Sequence, residues 1–82
     1  NPFNPTCEIG YTLPTDCHIT LTIYNMLGQK VKVLVNEHQS AGRKSVTWDG
    51  KDDQGREMTS GVYLYRMQAG DFVQSKKMVV LK

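Results

Sequence analysis

Four carboxylates stand close together in the stretch W-D-G-K-D-D-Q-G-R-E, at Asp49, Asp52, Asp53 and Glu57. Clustered oxygen ligands are what a hard cation requires, so calcium at Asp49, Asp52 and Asp53 is the first chemistry to weigh. The spacing argues against it. Counted as an EF-hand loop from Asp49, the third position is Lys51, the turn glycine is replaced by Gln54, and the bidentate Glu is replaced by Ser60. The plainer reading is a solvated loop whose carboxylates accept hydrogen bonds from backbone N–H groups, and no cofactor is expected.

The other chemistry-bearing residues are fewer. His18 and His38 fall in different runs, and neither sits beside an activated nucleophile or in a nucleophile elbow. Cys17 and His18 are successive strand residues that point to opposite faces, so they do not chelate one ion. Cys7 and Cys17 lack the C-x-x-C spacing of a zinc or redox site. Tyr63 and Tyr65 could form a sugar-stacking platform, but they share a face with Met67, which places them in a core. Tyr63, just after Gly61, also fits the tyrosine corner of an immunoglobulin-like strand, its hydroxyl tied back to upstream backbone. No catalytic or metal constellation emerges, and the chain is read as a non-enzyme.

The elements that position these residues are strands. Cys7, Ile9, Tyr11 and Leu13 alternate with Glu8, Gly10 and Thr12; Ile19, Leu21 and Ile23 alternate with His18, Thr20 and Thr22. Such a period of two marks a strand with one buried face. Pro14-Thr15-Asp16 turns the chain between these runs, which are expected to pair as a hairpin. That pairing would hold Cys7 and Cys17 about six residues, roughly 20 Å, apart, too far for a disulfide within one chain. Two small apolar side chains, or a bridge between chains, are the readings left.

Asn25 to Gly28 is a turn by composition, and Val31, Val33 and Val35 make a third strand whose alternation is broken by Leu34. Asn36 to Gly42 reads as a loop, with a short edge strand as the alternative, and Lys44, Val46 and Trp48 define the next inward face. Asp53-Gln54-Gly55 supplies tight-turn residues, Tyr63, Tyr65 and Met67 follow Gly61, and Gly70-Asp71 turns the chain into a last run from Phe72 to Lys82. In that run Val73 is out of phase with Met78 and Val80, so either a bulge shifts the register near Lys76 or both faces are partly covered, and the bulge is the reading preferred. With no helical period anywhere, the pattern is an all-β antiparallel sandwich of six to seven strands. Ile9, Leu21, Ile23, Val46, Trp48, Tyr63 and Tyr65 should share its core.

Eighty-two residues suit one domain, residues 1–82, entered through a stiff Pro-rich arm at Asn1 to Pro5 that Phe3 packs down. A formal charge of +2, from interspersed Lys and Arg, gives no footprint for nucleic acid. No apolar run is long enough to span a bilayer as a helix. The chain starts at Asn1 and not at Met, as expected for a piece of a longer protein.

The order of the motifs N-P-F-N-P (Asn1 to Pro5), I-x-Y-x-L-P (Ile9 to Pro14), I-Y-N-M-L-G (Ile23 to Gly28), W-D-G-K-D-D-Q-G (Trp48 to Gly55), S-G-V-Y-L-Y-R (Ser60 to Arg66) and the terminal K-M-V-V-L-K carries a family likeness. The chain resembles the type IX secretion C-terminal sorting domain, close kin to the immunoglobulin-like domain of flagellar hook-capping (FlgD-like) proteins. The resemblance implies an immunoglobulin-like, non-catalytic tail that partners secretion machinery and an upstream cargo domain, and that works at the outer-membrane surface or outside the cell. It implies a recognition strand at Lys76, Lys77, Met78, Val79, Val80, Leu81 and Lys82, with Trp48, Asp49, Gly50, Asp53, Gly55, Gly61 and Tyr63 as structural residues. Cys7 and Cys17 depart from the small or polar residues usual there, which leaves room for pairing between chains. The alternatives are an extracellular adhesion, carbohydrate-binding or filament-forming module that self-associates through edge strands or cysteines, and a hook-capping assembly domain.

Overall fold

The apolar alternation read along the chain becomes six strands in the computed structural model, which describes residues 7–81. They are β1 (Cys7–Leu13), β2 (Cys17–Tyr24), β3 (Lys30–Gln39), β4 (Gly42–Trp48), β5 (Gly61–Ala69) and β6 (Phe72–Val80). The expected arm at Asn1 to Pro5 lies outside the described residues, as does Lys82. One sheet holds β1 and β4; the other has the order β3-β2-β5-β6, and every pairing is antiparallel. The two inner faces enclose Ile9, Leu13, Ile19, Leu21, Ile23, Trp48, Tyr63, Met67 and Val80. Val46 and Tyr65, expected in this core, pack against it half-buried.

The expected hairpin of β1 with β2 does not form. β1 pairs with β4, Cys7 opposite Trp48 and Leu13 opposite Gly42, whereas β2 lies in the other sheet between β3 and β5. Alternation fixes which face of a strand is buried but not its neighbour, because two successive strands can meet side by side or face to face across a core. β1 crosses the larger sheet obliquely. The Cys7 thiol reaches the Val79 carbonyl of β6 at 4.0 Å, while the Tyr11 hydroxyl donates to Gln39 Oε1, at the end of β3, at 2.8 Å. Burial pushes the Tyr11 phenol above its usual range, against the opposing pull of that hydrogen bond.

Two irregularities are also placed differently. The ladder of β5 and β6 runs unbroken from Gly61 opposite Val80 to Ala69 opposite Phe72, so there is no bulge near Lys76. Val73 and Val79 are simply on the solvent side of the sheet. The register shifts lie in β3, where Leu34 and Val31 are each skipped in pairing with β2, and Leu34 is the residue that interrupts the alternation. In the stretch Asn36 to Gly42, the edge-strand alternative holds for the first part, since β3, an edge strand, runs to Gln39 and the loop shrinks. Polar residues at the solvated end of an edge strand carry no alternation signal.

Candidate functional site

The loop from Trp48 to Gly61 shows how the carboxylates are used. Asp49 Oδ1 accepts from Lys51 N at 3.0 Å, and the Trp48 indole donates to the Lys51 carbonyl at 2.8 Å. Asp52 Oδ1 accepts from Gln54 N at 2.9 Å and Arg56 N at 2.8 Å, while Oδ2 takes Arg56 Nε at 2.9 Å. Asp52 is buried, and those bonds, with that from the Arg56 amide foremost, hold its carboxyl below the usual range. The turn closes where Gly55 N donates to the Asp52 carbonyl at 3.0 Å, and Gly55 takes φ 83°, a conformation that a residue with a Cβ resists. Among the described residues no three His, Cys, Asp or Glu side chains converge as a metal cluster.

Asp53 does something the sequence did not signal. Its amide donates to the Val31 carbonyl at 3.1 Å, and its Oδ1 accepts from Val33 N at 3.3 Å. Both partners belong to β3, an edge strand, and neither bond goes to β2. The loop therefore closes the outer edge of β3 where its two register shifts already distort it. The i-to-i+2 contacts of Asp49 and Asp52 are local and legible from turn chemistry; a contact 20 residues away is not.

Tyr63 behaves as expected. Its hydroxyl donates to the Thr59 carbonyl at 2.7 Å, and its ring meets the Trp48 ring edge-on at 5.2 Å between centroids. Gly50 and Gly61 flank this aromatic pair, one in the loop and one at the start of β5. Cys7 and Cys17 are free thiols. Cys7 lies by Val79, which pairs with Val62, and Cys17 lies two residues before Ile19, which pairs with Ala69, so they occupy opposite ends of β5.

The expected recognition strand is brought together on one element. Lys76, Lys77, Met78, Val79 and Val80 are the end of β6, the open edge of the four-stranded sheet; exposed Leu81 follows the strand. Val80 is buried, Met78 is half-buried, and Lys76, Lys77 and Val79 are exposed. Sequence reading missed that Phe72 (55% exposed), Val73 (47%) and Val79 (58%) present apolar surface along the same strand. The signal was there as apolar residues in both phases.

The model of the FlgD Ig-like domain matches residues 5–71. The chain belongs to the FlgD Ig-like domain family. Consistent with this, the fold superimposes on the crystal structure of FlgD from P. aeruginosa with a TM-score of 0.72 and 26% identity, over 92% of this chain and 59% of that one. FlgD from Xanthomonas campestris, described for hook capping essential for flagellar assembly, shows the same fold at TM-score 0.72 and 23% identity, over 94% of this chain and 56% of that one. The chain thus spans less than two thirds of either FlgD protein. No curated protein matches it closely in sequence. The FlgD hook-capping scaffold family is non-enzymatic, which agrees with the non-enzyme reading. These matches support the FlgD-like side of the resemblance, and none of these three is to a type IX sorting domain.

Proposed function

We propose that this FlgD Ig-like domain is a non-catalytic assembly module of the hook-capping type, acting outside the cell as part of a longer protein. The observation that carries the reading is the family match over residues 5–71, supported by the likeness to FlgD from P. aeruginosa at 26% identity. Physically, a β-sandwich of this kind supplies surface and edges, and its polar and aromatic contacts are structural: the Trp48 and Tyr63 pair and the Asp52 turn hold the shape. The test exchanges this chain for the Ig-like domain of FlgD from P. aeruginosa. The assembly reading expects hooks on cells carrying the chimera; a stable, exported chimera without hooks contradicts it.

The type IX sorting reading is favoured by one observation: of the segment it singles out, Lys76 to Lys82, residues Lys76 to Val80 lie on an edge strand of the larger sheet. A reporter fused to the domain, in a host with type IX machinery, would be surface-displayed only with that strand intact. Equal display with and without the domain rules the reading out.

A further inference from the structure

We propose that the open edge of β6 is the docking site for an extended acidic segment of another protein, which adds to the larger sheet as a fifth strand. This deepens the assembly reading and rests on it. The two edges of that sheet are treated differently. β3 is shifted in register twice and bonded by the Asp53 loop, whereas β6 is a nine-residue strand of unbroken register. Among the described residues only the Cys7 thiol, at the Val79 carbonyl, reaches the main chain of β6 from outside β5. A long flat edge of this kind is a template for strand addition.

The charges select the occupant. β5 and β6 carry Arg66, Lys76 and Lys77 and no carboxylate, and none of the three cations forms an ion pair among the described residues. Lys77 stands on the outer face opposite Leu64, and Lys76 on the other face opposite Tyr65. A second copy is a poor fit, because antiparallel pairing of two β6 strands about their midpoint sets Lys76 against Lys76. Pairing β6 with β3 of another copy brings it to Lys30 and Lys32, with Glu37 as the one carboxylate of that strand, on an edge that the loop bonds at Val31 and Val33. Like charges across strands destabilise and opposite charges stabilise, so the edge rejects itself and admits carboxylates. Val73 and Val79, toward either end, offer apolar contacts to alternate residues of the incoming strand.

The experiment titrates the isotope-labelled domain with a short peptide of alternating Val and Thr that has two central Glu, and with its twin that has two central Lys. The acidic peptide should give saturable amide shifts confined to β6 and its β5 neighbours, and bind about tenfold or more tightly than the twin. Lys76→Glu with Lys77→Glu, at exposed positions that leave the fold intact, should invert the preference. Methylating alternate peptide amides should abolish binding. Equal binding of both peptides, shifts elsewhere, no binding of the acidic peptide, or self-association of the wild-type domain through β6 each overturns the proposal. A chimera that builds hooks while the acidic peptide fails to bind sinks this proposal alone; peptide binding without hooks sinks the assembly reading alone.

Discussion

Trp48 links three parts of the molecule: its ring is fully buried, it meets Tyr63 edge-on, and its indole N–H fixes the Lys51 carbonyl of the loop. Trp48→Ala should therefore cost about 3–5 kcal/mol in denaturant unfolding, the range for removing a large buried aromatic. Tyr63→Phe keeps the ring contact and loses only the bond to Thr59, so about 0.5–1.5 kcal/mol is expected. Asp52 gives a pH signature. Its carboxyl is held below the usual range by the Arg56 amide first and the other loop donors after it, so the charged form favours the folded state. That stability is present above roughly pH 4 and is lost as pH falls through the depressed folded value. Melting temperature should drop with acidification in the wild type, and the drop should be shallower in Asp52→Asn. Trp48, Tyr63 and the Asp52 turn were legible because their partners are local or their burial follows from size and phase. The Asp53 contact was not, since nothing in a run of loop residues says which distant strand they will meet.

At the level of the elements, phase was legible and partnership was not. Ile9, Leu13, Ile19, Leu21 and Ile23 were readable as buried, although Thr22, expected on the solvent side, is buried too; yet β1 went to β4, because a face-to-face partner satisfies the same alternation as a side-by-side one. β6 misled for a related reason. Apolar residues in both phases suggested a bulge, when the strand is regular and leaves Val73 and Val79 in solvent. The loop that covers β3 makes its own prediction. Asp53→Ala removes the acceptor for Val33 N–H, so the Val33 amide should exchange with solvent faster while the core strands β2 and β5 keep their protection. The cysteines make another. With Cys7 and Cys17 at opposite ends of β5, seven residues or about 23 Å from Val62 to Ala69, oxidation should yield cross-linked chains and no internal bridge. Non-reducing peptide mapping that finds a 7–17 cross-link within a monomer would refute that placement.

For the whole molecule, the same facts combine into a sandwich whose chemistry is spent on shape: an aromatic pair, a buried turn carboxylate and a loop that closes one side of a sheet. Within the larger sheet, the side that this loop leaves open is β6. That asymmetry within the larger sheet is the physical basis of the assembly role proposed for the domain. Residue-resolved amide exchange on the free domain tests it most directly. Val33, though on an edge strand, should be protected by its bond to Asp53, and alternate amides of β6, those not given to β5, should exchange as freely as solvent-exposed backbone. Uniform protection along β6 together with free exchange at Val33 would contradict it.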